Sequence, residues 1–293
     1  MKSPRAYCPQ ALVRLPLVLC FTAMAISAVP ASAQSPAVPT ERTQGDISPE
    51  ASQGLDPAAA PGPAIFVVDS TRHLAIVNVG SLKVRRICRA GVQLTEIAFN
   101  PKNHQLYGIS YNTLYQVNIG DCSMRPIARL GVNDANAFVF DSAGTAYFAG
   151  YASNRLYRLN ITTGRATIVG LTGAYYSAGD LTFYNDRLVM SANYKTINPN
   201  ARTDNYLVTL NPANAAIVGT PVLLGIHQLY GLASTGKNEL YGLAAIGISH
   251  RPGLYQLFPS ASGVANRDAL LRDLSGTGLS LIVGTAYNGN YQP

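Results

Sequence analysis

The sequence predicts an all-β fold, a β-propeller of five four-stranded blades. Three observations predict it: a short motif recurs at blade-sized spacing, the segments flanking each copy recur in phase, and the two ends of the repeat region supply complementary parts of one blade. A four-stranded blade takes roughly 40–50 residues.

The motif Leu-Tyr-x-(Val/Leu)-Asn stands as LYQVN at 114–118 and LYRLN at 156–160. Weaker copies are LAIVN at 74–78, LVTLN at 207–211 and LYQLF at 254–258, so successive leading leucines lie 40, 42, 51 and 47 residues apart. Ahead of four copies an apolar segment (EIAF, AFVF, DLTF, GLAS) ends in turn residues such as Asn100-Pro101-Lys102-Asn103 or Asp141-Ser142-Ala143-Gly144. A second strand follows each turn (QLYGIS, TAYFAG, RLVMSA, ELYGLA), and a fourth follows the motif, as in ATIVG at 166–170 and AAIVG at 215–219. Short strands rich in Tyr, Val, Leu and Ile read as an antiparallel sheet and exclude a helical solenoid.

Ring closure follows from the strand count. The first unit opens at AIFVVD, which matches a second strand, so its innermost strand is missing. The last segment, LSLIVGTAYNGN, matches an innermost strand with its turn. Pairing the two completes one composite blade and removes the open edges of a linear array.

Residues 1–33 have the layout of an export signal: Lys2, Arg5 and Arg14, an apolar run over 15–29, and Ala31-Ser32-Ala33 before a cut after Ala33. A membrane helix fits less well, because the run is short, holds Pro16 and leads into a polar stretch. This reading makes the protein secreted or periplasmic, without a transmembrane segment after cleavage. Residues 34–63, rich in Pro and Ala and poor in large apolar residues, read as a disordered leader, leaving 64–293 as the propeller. The leader is net −3 and the remainder net +7. The densest basic group, Arg85, Arg86 and Arg89, reads as a solvated strand face, so no nucleic-acid partner is expected.

Cleavage leaves Cys88 and Cys122. In the alignment Cys88 falls on the outer strand of the first blade and Cys122 in the outer-strand turn of the second, which predicts a disulfide between adjacent blades; two unrelated buried thiols are the alternative.

The repeats resemble exported bacterial propellers whose blades read LYxI(D/N)xxTGxATxIG, and are similar to NHL, YVTN and WD40-type proteins. The closest copy is LYRLNITTGRATIVG at 156–170, and the likeness spans 64–293. It implies architecture and no activity, since the repeated residues are those of strands and turns. The Gly-His and Trp-Asp pairs of WD40 blades are missing, and the chain has no Trp.

Nucleophile, metal and phosphate-loop motifs are absent: no G-x-S-x-G, no H-E-x-x-H, no C-x-x-C. Candidate site residues come instead from loop lengths. The loops between second and third strands expand in the last two blades, at 192–205 and 245–253, on the face that also carries the blade-to-blade connections. That face gathers Tyr175, Tyr176, Tyr194, Lys195, Arg202, Asp204, His227, Tyr230, His250 and Arg251, a set suited to binding a protein, peptide or glycan. Glu96 and Asp180 share one aligned position on innermost strands and are expected at the channel mouth, orienting a cation, a water or a sugar hydroxyl, or capping backbone amides. No cofactor or metal set is identified, and a divalent cation in the channel stays open. The sequence thus favours a non-enzymatic binding or scaffold propeller. Two alternatives remain: a lactonase, lyase or glycosidase-type enzyme using Glu96, Asp180 and a histidine, and a lectin with five similar pockets.

Overall fold

The computed structural model describes residues 62–194, 204–236, 239–247, 250–259 and 269–289. The expected signal segment and all but Gly62 and Pro63 of the leader lie outside the described residues. None of the described residues forms a helix long and apolar enough to cross a membrane.

The chain lays down β1 (Ala64–Asp69), β2 (His73–Asn78) and β3 (Val84–Arg89), then three complete sheets of four. These are β4 (Glu96–Phe99), β5 (Leu106–Ile109), β6 (Thr113–Val117) and β7 (Met124–Arg129); β8 (Ala135–Phe140), β9 (Ala146–Gly150), β10 (Arg155–Leu159) and β11 (Ala166–Leu171); and β12 (Tyr175–Tyr184), β13 (Arg187–Tyr194), β14 (Asp204–Leu210) and β15 (Val222–His227). A fifth sheet holds β16 (Gly231–Thr235), β17 (Glu239–Ile246), β18 (Arg251–Leu257) and β19 (Ala269–Asp273), and β20 (Ile282–Tyr287) ends the series. All neighbours are antiparallel, and β20 joins the first blade in the order β20-β1-β2-β3. Ile65 lies opposite Tyr287 and Phe66 opposite Ala286, so the ring closes through the clasp that the strand count predicts.

Successive residues of an inner strand face opposite neighbouring blades. On β1, Phe66 and Val68 pack in one cluster with Leu94, Ile97 and Leu106 of the second blade, while Ile65 and Val67 pack with Tyr241 and Leu243 of the fifth. Three further clusters fill the remaining junctions, so every blade is held by apolar contact on both faces. This is why AIFVVD reads as a continuous apolar run: both of its faces are core.

The fourth blade departs from expectation. Residues 215–219 contribute one isolated bridge, Leu210 to Ile217, and β15 is the outer strand instead. Ala215 and Gly219 both have left-handed φ, +61° and +72°, which breaks an extended run. Asn211 and Asn214 side chains accept the amides of Ala213 and Ala216 and fold that stretch into a turn. VLLGIH then alternates as a half-buried strand should, with Val222, Leu224 and Ile226 inward.

Cys88 on β3 and Cys122 in the β6–β7 turn form the expected disulfide, with Cα atoms 5.7 Å apart, closing a loop of 34 residues. Replacing both with Ser is expected to cost roughly 3–4 kcal/mol by the loop-entropy estimate. Urea unfolding of the double variant and of the reduced parent checks this, and matching midpoints before and after reduction would show the bond to be energetically idle.

Candidate functional site

Among the described residues, the turns between second and third strands (2–3 turns) and the connections to the next blade lie at one end, opposite the Asn100 and Asp141 turns. At this end a cavity of about 490 Å³ opens at the channel mouth. Ser70, Tyr111 and Tyr151 line it from 2–3 turns, and Gln93, Leu94 and Tyr230 from connections. Its floor is a ring with one residue from each innermost strand or its entry: Thr95, Asn136, Gly179, Tyr230 and Val283. Among the described residues, no ionisable side chain other than the tyrosine phenols lines it.

The backbone fixes the rim. Ala135 N donates to Tyr111 O, and Tyr151 N to Asp134 O, so one connection holds both tyrosine turns. Gly150 permits this, since a Cβ there would strike the Asp134 carboxylate. The rings of Tyr111 and Tyr151 meet edge to face at 5.6 Å. Gly179 likewise lets the Tyr230 backbone approach, because a Cβ would lie 2.5 Å from Tyr230 Cα. Burial pushes the Tyr111 and Tyr230 phenols up, with Tyr151 adding to the first and Tyr111 to the second, so both stay neutral donors.

Beneath the floor lie Glu96, Ala137, Asp180, Gly231 and Gly284, two acids and three minimal residues. Glu96 and Asp180, expected at the mouth, are fully buried in this lower layer and line neither the mouth cavity nor the 150 Å³ cavity on the other side. The innermost strands present a free edge to the channel, and these acids satisfy its amides. Glu96 Oε1 accepts from Ile97 N at 2.8 Å and Thr285 N at 2.5 Å. Asp180 accepts from Leu181 N on Oδ1 at 2.6 Å, and from Leu232 N and Thr285 Oγ1 on Oδ2 at 2.5 and 2.9 Å. Gly284 makes the room, since a Cβ would lie 2.6 Å from Glu96 Oε1.

Glu96 Oε2 is buried without an N–H or O–H donor, and its neighbour is the Asp180 carboxyl. Burial, then the adjacent Asp180 charge, raises Glu96 well above the carboxylate range, and burial raises Asp180 as well. With Thr95 Oγ1 donating to Ala135 O, Asn136 Nδ2 to Ser177 O and Thr285 Oγ1 reaching Leu232 O, side chains bridge all five blade junctions around the channel.

The other sequence-selected residues fall into separate groups. Tyr175 and Tyr176 open β12 rather than sitting in a loop, and Tyr175, Tyr194 and Tyr206 form an aromatic triad with centroids 5.3–6.1 Å apart. Lys195 and Arg202 lie outside the described residues. His227 ends β15 opposite Asp204, on the outer edge of its blade, so it does not converge with Glu96 and Asp180. His250 is exposed in the β17–β18 turn, and Arg251 Nη1 bonds Asp273 of the outermost strand at 2.7 Å. Of the candidates among the described residues, Tyr230 alone lines the mouth cavity. Sequence reasoning missed Tyr111, Tyr151 and Asn136, although a tyrosine ending the second strand recurs in QLYGISY, TAYFAGY and RLVMSANY. Among the described residues no group of three or more His, Cys, Asp or Glu gathers as a metal set.

No family model matches the chain, and no curated protein does. Among solved structures it is similar to Kuenenia stuttgartiensis hydrazine synthase, at 16% identity over 73% of this chain and 68% of that one, with a TM-score of 0.45. A chain of a nidogen–laminin complex matches at 13% identity over 76% and 84%, TM-score 0.49. A symmetrical protein, described by the de novo evolutionary emergence that folding constraints shaped, matches at 16% over 76% and 93%, TM-score 0.46.

Proposed function

We propose that this is a binding propeller that seats its ligand, the end of a peptide or glycan chain or of a protein segment, in the mouth cavity. The observation that carries this reading is a concave, tyrosine-ringed cavity with a sealed floor at the loop-bearing end of the channel. A hydrolase or lyase acting through Glu96 and Asp180 would need both acids to reach substrate. Backbone amides from four blades occupy them below the floor, which supports binding over catalysis. The lectin alternative with five equal pockets gains no support from a mouth cavity lined by different residues in each blade. Residues 1–33 fit the same reading as an export signal, which N-terminal sequencing of the mature protein tests.

Tyr111→Ala and Tyr230→Ala are each expected to weaken capture at least 10-fold, as buried aromatic contacts at binding sites do. Tyr111 is half exposed, so its loss is expected to move stability by only about 0.5 kcal/mol. Retention of peptide and oligosaccharide pools on immobilised parent and variants, with thermal melts alongside, is the measurement. If the combined Tyr194→Ala, His250→Ala and Arg251→Ala variant loses retention while the cavity variants keep it, the seat lies on the outer loops instead.

A further inference from the structure

Apart from the mouth cavity, we propose a second binding site, which takes the oxyanion head of an organic phosphate or sulfate ester on Arg129, Arg155 and Arg165. The three arginines line one groove of about 470 Å³ at the outer junction of the second and third blades, and it shares no residue with the mouth cavity. Arg129 ends β7, Arg155 opens β10, and Arg165 stands between β10 and β11. Gly164 brings that last turn onto β7: its φ is +71°, and a Cβ there would strike the Ala128 methyl next to Arg129. Three like charges around one groove repel each other. Among the described residues, none of the three guanidinium groups has a hydrogen bond or an ion pair to offset this.

The repeat does not require these charges. At the preceding junction the matching residues are Arg89, Thr113 and Ser123, and Arg89 Nε is committed to Thr71 O at 3.2 Å. At the following junction they are Leu171, Tyr206 and Ala216. A guanidinium presents a planar fork of N–H donors that fits two oxygens of a phosphate or sulfate head, and a head with several equivalent oxygens can engage more than one fork. Leu130, Val132 and Ile168 line the same groove, the last of them 59% exposed. That apolar wall suits the carbon frame of an ester and gives a bare inorganic ion nothing to contact, while the volume admits a sugar-sized molecule.

The test titrates the full chain at constant ionic strength with glucose 6-phosphate, glucose 6-sulfate, glucose and inorganic phosphate. At least one ester is expected to bind, at least about 10-fold more tightly than glucose or inorganic phosphate, and the two esters separate the phosphate head from the sulfate. Arg129→Gln with Arg165→Gln is expected to lose at least about 10-fold. Lys102→Gln with Arg187→Gln removes the same charge from exposed positions elsewhere and is expected to leave affinity nearly unchanged. Should the first pair fail to fold, Arg129→Lys with Arg165→Lys keeps the charge and loses the fork, and a comparable loss is expected. No ester bound at millimolar concentration, equal losses in the two charge-removing pairs, or inorganic phosphate bound as tightly as the esters overturns the inference. Tyr111→Ala is expected to leave ester binding unchanged, so this site and the mouth cavity stand or fall separately; an ester lost with Tyr111→Ala would place it in the mouth cavity and overturn the groove.

Discussion

Ending the chain after Leu281 is expected to abolish the native ring rather than weaken it. The truncation removes β20, and with it the partner of the fully buried β1, the Thr285 bonds to Glu96 and Asp180, and the Ala286 and Ile282 packing at two blade junctions. It also exposes an apolar edge on the first blade and an unfilled gap beside the second and fifth. Long unpaired apolar edges pair with other chains, so the shortened protein is expected in aggregates. Sedimentation and amide exchange on the refolded truncation are the measurements. A soluble monomer with a cooperative melt would show that four blades and a three-stranded sheet close without the clasp.

The Glu96–Asp180 pair carries the second large effect. Asp180→Ala leaves Leu181 N and Leu232 N without their acceptor, while the Thr285 hydroxyl keeps Leu232 O, and at about 1–3 kcal/mol for each stranded buried group the loss is about 2–6 kcal/mol. The pair also gives the protein an inverted pH response. Its proton is held in the folded state well above the range where the two carboxyls lose theirs when unfolded. Folding therefore binds a proton, and the stability from this site is full below about pH 4 and is lost as pH rises through the raised value. The slope is at most about 1.4 kcal/mol per pH unit for one proton. Glu96→Gln keeps an acceptor for Ile97 N and Thr285 N and a donor toward Asp180 while removing the titration, so its stability curve is expected to be flatter above pH 5. Parallel curves for parent and variant would place the proton elsewhere. The turn carboxylate Asp69 opposes this trend at the acid end: burial works against its charge, but the amides of Ser280 and His73 and the Thr71 hydroxyl hold it below the ordinary range.

The architecture was legible because it is written in apolar runs and turn residues that repeat. LSLIVGTA has the composition of an innermost strand, and only the first blade lacks one of its own. The disulfide was legible for the same reason, since the repeat register brings positions 88 and 122 to one junction. Where local sequence imitates a repeat, the reading fails: AAIVG looks like ATIVG, and only the left-handed backbone at Ala215 and Gly219 moves the strand to 222–227. The site was less legible because a propeller assembles it from one or two residues per blade. Ser70, Gln93, Asn136 and Tyr230 share no spacing or residue type, and the ring brings them together. The aligned acids were visible, but their depth was not. It depends on Ala137, Gly231 and Gly284 standing at the matching positions of the other blades and leaving the channel free for two side chains.

The bonds that lock the ring join residues very far apart in the chain: Ser280 N reaches Asp69 across 211 positions and Thr285 N reaches Glu96 across 189. Contacts of such separation form late and slowly, because the loop they close must be ordered before they contribute. Until β20 has emerged from the ribosome, the growing chain holds four blades that cannot close and one sheet with an open apolar edge. Its exposure to proteases and to self-association is thus set by synthesis time, and a chaperone that shields β1 acts on the interval that matters most.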